Sequence, residues 1–421
     1  MRIRIHRGTK EIGGTCVEIE AHDKRIVLDI GLPLDVDEPE DVPLYPIQGF
    51  NAGDSSLLGV VISHPHRDHY GLAQRLPPET MFLIGHAAER ILAAADLFTD
   101  AGLRLQNVIH LRDRTPITLG PFTLTPYLVD HSAYDAYALL VETEGQRLFY
   151  SGDFRSHGRK GKLFDRLLSD PPPKIDVLLM EGTTVGRADS DQDFPSESDL
   201  ELRLVDLFRK AKGMPLVCCS GQNVDRLVTI FRACKRTGRT FIVDMYTAHI
   251  LAATENRNVP QKDWPDVRIF LPSSQKRQII NKGAFEVAKE YRPYRIFPEQ
   301  LAAAAPTSVM LFRPSMIRDV DKADCLAGAL LVYSMWPGYL KDQSARRLLD
   351  WLAVRAIPLE ECHTSGHASL HDLIRLCDAC APLAVVPIHT DRADLFADHF
   401  RRVMRLNDGV WFDIDRLKER S

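Results

Sequence analysis

The sequence predicts an α/β protein in which one domain is inserted into another. Three observations carry this reading. The first third alternates β-rich runs with turns, the middle alternates buried strands with amphipathic helices, and the last stretch returns to histidines beside turns. RIRIH, TCVEIE and RIVLDIG open the chain as strands, with AHDK as the hairpin turn between the last two. LGVVISH is a buried-type strand that runs into a histidine cluster, and HAAERILAAADLF reads as the helix after it. FTLTPYLVDH, YALLVETEG and QRLFYSGD add strands, so strand ends near His64, His131 and Asp153 all carry ligand-type side chains. Beyond DPPPKIDVLLMEGTT, the runs LVCCS, TFIVDM, VRIFLP, SVMLF and ALLVYS are buried strands. They are separated by helices such as NVDRLVTIFRACKRTG, the pattern of a mostly parallel sheet. The expected divisions are residues 1–190 and 359–421 for the outer domain and 191–358 for the insert, with PPP at 171–173 as a stiff connector.

A chain of 421 residues is long enough for more than one hydrophobic core. Apolar residues make up 45% and charged residues 26%, which is ordinary for a folded globular protein. The formal net charge of −4 supplies no overall attraction to nucleic acid, so a phosphate polymer would have to be held by a local basic surface or by metal ions. MRIRIHRGTKEIGG lacks the apolar core of a secretory signal, and runs such as ALLVYSMW are too short to cross a membrane. A cytoplasmic protein without membrane attachment is expected. The eight cysteines then imply free thiols, and the pair Cys377 and Cys380 is assigned to helix packing within SLHDLIRLCDAC rather than to a zinc ribbon.

The segment SHPHRDHYG concentrates His64, His66, Asp68 and His69 directly after a buried strand. His64 and His66 fall on one side of an extended segment, while Asp68 and His69 turn towards a neighbouring point, so one loop can serve two metal ions. Imidazole nitrogen and carboxylate oxygen suit zinc, and a carboxylate can bridge two ions about 3.5–4 Å apart. A single histidine in such a loop is more often a polar cap or a solvent-facing side chain. Four ligand-type residues together reverse that balance. His22, His86, His110 and His399 lack comparable context and are expected to be structural or exposed.

HPHRDH matches the HxHxDH motif of the metallo-β-lactamase superfamily, which this chain resembles. Asp29 in VLDIG, His131 in VDHSAYDA and Asp153 in SGDFR match the superfamily's other motifs in order. Glu181 in LLMEGT, His367 in HTSGHAS and His389 in VVPIHTD are similar to motifs A, B and C of its β-CASP branch, whose members process nucleic acids. KEIGGTCVEIE and the spacing of the later motifs look most like ribonuclease J-type proteins. MEGTT, where an aspartate is more usual, and the loop SMWPGY depart from that group. The short stretch after His389 leaves no room for the separate C-terminal domain of many such proteins.

The resemblance implies a metallo-β-lactamase αββα sandwich with an inserted β-CASP domain. It implies two zinc ions per chain, with Mn²⁺ or Mg²⁺ as substitutes: one on His64, His66 and His131, the other on Asp68, His69 and His389, and Asp153 between them. Asp29 would orient a ligand imidazole from behind. Asp68, Asp153, Glu181 and His367 form the catalytic set, with His367 assisting the leaving ribose oxygen while hydrogen-bonded to Glu181 or Asp153. Ser365, Gly366 and His367 are expected at a phosphate, and Ser220 and Asn223, with Gln222, at a helix N-terminus that can take an anion; a plain turn and an N-cap are the alternatives. Arg155, Arg159, Lys160 and Lys162 either rim a phosphate channel or face water. A histidine at the position of His389 is typical of RNA-cleaving members. The expected function is therefore a zinc-dependent ribonuclease on single-stranded RNA, cutting internally, trimming from 5′ to 3′, or both, with a homodimer among its allowed assemblies. The alternatives are a DNA nuclease of the repair branch, a small-molecule metallohydrolase and a non-catalytic RNA-binding subunit.

Overall fold

The computed structural model describes residues 1–50, 54–187 and 193–417. The chain divides into two compact units. One comprises Met1–Glu89, Leu103–Phe194 and Gly366–Ser421, and the other comprises Arg90–Gly102 and Pro195–Ser365. Among the described residues no helix is long and apolar enough to cross a membrane, and no disulfide links the eight cysteines.

Two sheets build the first unit. In spatial order one contains Trp411–Asp413, Arg2–Arg7, Cys16–Ala21, Lys24–Leu28, Leu57–Val61, Met81–Gly85 and Asn107–Leu111. The other contains Ala384–Ile388, Val177–Glu181, Gln146–Tyr150, Ala136–Thr143, Phe122–Val129 and Ile117–Leu119. The two-residue period of a strand explains how they stack. Val17, Ile19 and Ala21 join Ile3, Leu139, Val141 and Leu179 in a shared apolar core. The alternate residue Glu18 is buried on the opposite face and accepts from Arg4, Arg25 and His6, which pays its desolvation. Helices Lys162–Ser169 and Leu370–Cys380 cover the outer face of the second sheet, where Phe164, Leu167, Leu373 and Leu376 meet Leu140, Phe149 and Leu178. Cys380 packs in that layer with Cys377 at its margin, as the helical periodicity predicts.

The second unit holds a wholly parallel sheet in the order Val267–Phe270, Thr240–Asp244, Ser308–Leu311, Pro215–Cys218, Leu330–Tyr333 and Leu359–Glu361. Its four inner strands are largely apolar and buried, as a sheet covered on both faces requires, while the edge strands carry Arg268 on one side and Glu360 and Glu361 on the other. Helices Glu197–Lys210 and Val224–Thr237 are tied by a buried ion pair. The Arg226 guanidinium donates to Glu197 at 3.0–3.2 Å, to the Ser334 carbonyl at 2.9 Å and to Ser334 Oγ at 2.6 Å. Removing one partner of a buried pair strands the other charge. Arg226→Ala is expected to lower unfolding free energy by about 3–5 kcal/mol, read as a lower urea midpoint at unchanged m value.

Candidate metal centre

Each predicted ligand-bearing residue lies at or just beyond the end of a strand, and these ends share one edge of the first unit. Asp29 follows Lys24–Leu28, and the histidine loop follows its parallel neighbour Leu57–Val61. His131, Asp153, Glu181 and His389 follow or end Phe122–Val129, Gln146–Tyr150, Val177–Glu181 and Ala384–Ile388. Ligand-type atoms of His64, His66 and His131 come within 4.8 Å of one another, as do those of Asp68, His69, Asp153 and His389, and those of Asp153, Glu181, His367 and His389. All the residues predicted as metal ligands are thus brought together, with His367 and Glu181 beside them.

The histidine loop is held by backbone and by Asp29. Ile30, Leu32 and Thr15 donate their N–H groups to the carbonyls of His69, Arg67 and Asp68 at 2.8, 3.0 and 3.1 Å. A Cβ on Gly31 would stand 1.7 Å from the Asp68 carbonyl oxygen, so only glycine allows this approach. Fully buried Asp29 accepts from Ser63 N at 2.7 Å through Oδ1. Its Oδ2 accepts from Ser63 Oγ, Tyr150 Oη and His69 Nδ1 at 2.8, 2.6 and 2.8 Å. The last bond places the His69 proton on Nδ1 and turns Nε2 towards the carboxylates. Asp29 and His389 both have left-handed backbone, φ 57° and 54°, the kind of local strain that persists where surroundings over-determine it.

Other partners fix the remaining rings. His389 Nδ1 meets Thr183 Oγ1 at 2.8 Å, and its Nε2 stands 3.2 Å from Asp68 Oδ2. His131 Nε2 meets His66 Nδ1 at 3.1 Å, and His367 Nδ1 meets Glu181 Oε2 at 3.0 Å and lies 3.7 Å from Asp153 Oδ2. A Cβ on Gly366 would sit 2.6 Å from Ser132 Oγ and 3.6 Å from the His131 ring, so the glycine lets its backbone approach that histidine. Ser63, Tyr150 and Thr183 escaped the sequence reading. Ser63 and Thr183 sit inside recognisable motifs, but Tyr150 touches a carboxylate 121 residues away and carries no local signal. Arg155 corrects one expectation, because it is fully buried and clamps Asp130 at 3.1 Å beside His131, so it cannot rim a channel. Lys160 also leans on Asp130, while Lys162 is exposed. Ser220, Asn223 and Ser365 belong to the second unit. There Asn223 Oδ1 caps its helix by accepting from Arg226 N at 3.1 Å, and Ser220 Oγ accepts from Gln222 N at 3.3 Å.

The electrostatics keep His64, His66 and His131 neutral and the carboxylates of Asp68 and Asp153 ionised, and favour the charged form of His69 and His367. Burial, reinforced by the charges of neighbouring histidines, holds His64 and His131 well below the ordinary histidine range, and burial pushes His66 down to about 4. Burial pulls His69 the same way, but Asp153, Asp68 and Asp29 outweigh it and raise the ring well above its ordinary value. Burial also opposes ionisation of Asp153 and Asp68; nearby His389, His69 and His367 overcome it at Asp153, as His69 and His389 do at Asp68, holding both well below the usual carboxylate range. For His367, burial is overcome by Glu181 and Asp153, which raise the ring.

The donor set fits divalent metal on a direct structural criterion. His64 Nε2, His69 Nε2 and both Asp153 oxygens are buried without a hydrogen-bond partner, although Asp153 Oδ2 lies 3.2 Å from His69 Nε2 without the alignment of a bond. Orphaned buried polar atoms are costly, and a cation among them satisfies several at once. Nitrogen and oxygen donors of this kind suit zinc and its relatives.

Residues 40–204 match the β-lactamase superfamily domain, and residues 351–408 match the Zn-dependent metallo-hydrolase RNA specificity domain. Both matches are to domains of metal-dependent hydrolases, and the chain is similar over most of its length to ribonuclease J proteins. It is 26% identical to ribonuclease J of Mycobacterium tuberculosis H37Rv over 427 residues, covering 92% of this chain and 68% of that protein. It is 25% identical to ribonuclease J of Helicobacter pylori 26695 over 234 residues, covering 52% of this chain and a 33% share of that protein's length. In fold it is similar to a crystal structure of an Enterococcus faecalis V583 protein of unknown function, at a TM-score of 0.74 and 20% identity over 98% of this chain and 99% of that one.

Asp29→Asn preserves volume but leaves an acceptor set unable to hold its donors. Metal affinity is expected to fall about 10–100-fold, measured by competition with a chromophoric chelator while far-ultraviolet circular dichroism stays native.

Proposed function

We propose that this protein is a ribonuclease of single-stranded RNA that depends on two zinc ions, or on Mn²⁺ or Mg²⁺ in their place, and acts in the cytoplasm. The observation that carries the proposal is the joint placement of His389 with Asp68, His69 and Asp153, since a histidine at that position marks RNA-cleaving relatives. The relatives' printed name, ribonuclease J, and the RNA specificity domain over 351–408 support it further.

His64, His66 and His131 would hold one ion, Asp68, His69 and His389 the other, and Asp153 would lie between them. When bound, the ions supply a water acidic enough to attack phosphorus near neutral pH and neutralise charge on the phosphate oxygens. The chain's own residues do the rest. Asp29 and Thr183 keep the Nε2 atoms of His69 and His389 aimed inward. Glu181, itself anchored by the Phe154 N–H at 2.9 Å, holds His367 Nδ1, which leaves Nε2 as the ring atom for the substrate. From there His367 gives a proton to the departing ribose oxygen. Gly366 in the first unit, and Ser220, Asn223 and Ser365 in the second, are the residues we assign to phosphate contact.

Matched RNA and DNA oligonucleotides carrying 5′-monophosphate or 5′-triphosphate and labelled at each end test this reading. RNA cleavage that stops with a chelator and returns with zinc is expected; DNA cleavage at a comparable rate would instead favour the DNA nuclease. Asp68→Ala is expected to abolish cleavage, and undiminished activity would mean that another protein supplied it. His367→Ala is expected to lower kcat by about 10²–10⁴-fold while bound metal, measured by elemental analysis, stays at the wild-type level.

A further inference from the structure

The second unit holds a polar network that neither the metal chemistry nor the apolar core explains. Its sheet is parallel, so the segments after Thr240–Asp244, Ser308–Leu311 and Pro215–Cys218, neighbours in that order, all leave one edge. Open parallel sheets bind their ligands at that edge. Here the segments bring Asp244, Arg313 and the loop Ser220–Asn223 side by side. Asp244 is fully buried. Its Oδ1 accepts from Thr247 N at 2.8 Å and Gln275 Nε2 at 3.0 Å, and its Oδ2 accepts from Arg313 Nε at 2.8 Å and Thr247 Oγ1 at 3.2 Å. Arg313 Nη2 donates to Thr247 Oγ1 at 3.0 Å, so the planar guanidinium is fixed at two of its nitrogens.

The loop rests on that guanidinium. A Cβ on Gly221 would stand 2.3 Å from Arg313 Nη2, 2.6 Å from Thr247 Oγ1 and 3.1 Å from Tyr246 Cε1, so a methyl there would have to push the fork aside. Gly221 is outside the left-handed region, and its role is the space it leaves. The next residue is held as well: Gln222 Nε2 donates to Tyr246 Oη at 2.8 Å, and the Tyr246 ring centroid lies 5.1 Å from Arg313 Cζ. Ser220, by contrast, is exposed, and among the described residues the N–H groups of Ser220 and Gly221 have no acceptor. Burying an Asp–Arg pair adds little net stability, so the network is better explained by the loop it holds. Arg313, neutralised by Asp244, supplies that loop with a fixed shape rather than a surplus charge.

We propose that Arg313 is a positioning residue for the substrate: clamped by Asp244, it holds the Ser220–Asn223 loop so that Ser220 meets a phosphate of the RNA strand, and it thereby sets KM rather than kcat. This rests on the ribonuclease reading and on the assignment of Ser220 to phosphate contact, and it names the side chain on which that contact depends.

A double-mutant cycle on the full zinc-loaded chain tests this, with KM and kcat measured on a 5′-monophosphorylated single-stranded RNA. Arg313→Lys keeps the charge but loses the fork, and Gly221→Ala keeps the fork but forces it away from the loop. Each is expected to raise KM about 10-fold, the worth of one hydrogen bond to a charged group. In both, kcat should stay within about twofold, and bound metal, read by elemental analysis, should match the parent. Ser220→Ala should raise KM by a similar factor, and adding Arg313→Lys to it should change little more, because both remove the same contact. Gly221→Ala with Ser220→Ala is read in the same way and carries the cycle if Arg313→Lys does not fold. An arginine with a merely structural role would give additive effects. Additive rises, a loss confined to kcat, or a KM unchanged in Arg313→Lys and Gly221→Ala while Ser220→Ala raises it, each overturns the positioning role and leaves the phosphate assignment standing. A KM unchanged in Ser220→Ala overturns the phosphate assignment and the positioning role together, while RNA cleavage by the parent keeps the ribonuclease reading. A parent that cleaves no RNA overturns all three.

Discussion

The candidate centre depends on one buried carboxylate. Asp29 receives four hydrogen bonds, from the backbone and hydroxyl of Ser63, from Tyr150 and from His69, and so joins two sheets to the histidine loop. Burying an ion is expensive unless its lone pairs are filled, and here the donors are groups that must be oriented anyway. The arrangement removes the freedom of the His69 ring and fixes its tautomer in one contact. Gly31 completes it by letting backbone approach backbone where no side chain would fit.

Around this anchor the polar cluster is unfavourable by itself. His64 and His131 resist protonation, the carboxylates of Asp68 and Asp153 stay ionised, and several of the cluster's atoms lie buried without hydrogen bonds. A fold keeps such a cluster only if the surrounding structure is rigid enough to oppose its relaxation. The paired sheets and the Asp130–Arg155 clamp supply that rigidity. Binding of cations is then coupled to release of the stored desolvation cost, which links metal affinity to folding.

Much of this was legible in the sequence because both signals were local. Strands such as LGVVISH and QRLFYSGD announce themselves by composition and end in ligand-type residues, so the edge of the sheets could be read before the structure. The parallel strands of the insert were equally plain, since sheets covered on both faces leave unbroken apolar runs. Partners set by tertiary contact were not legible. Tyr150 reads as one more strand residue, and Arg155 as one cation in a basic run, until the fold brings Asp29 and Asp130 to them. Asn223 was open between cap and contact because the same side-chain oxygen serves either; in the structure it is occupied by Arg226 N.

The position of His389 in the chain has a consequence during synthesis. Its strand, Ala384–Ile388, is laid beside Val177–Glu181, and its backbone N–H reaches the Gly8 carbonyl at 2.7 Å, so this ligand ties together segments far apart in sequence. Every residue up to His389 must be synthesised before the carboxylates of Asp68 and Asp153 acquire that imidazole. Until then the second group of ligand-type side chains lacks one of its members.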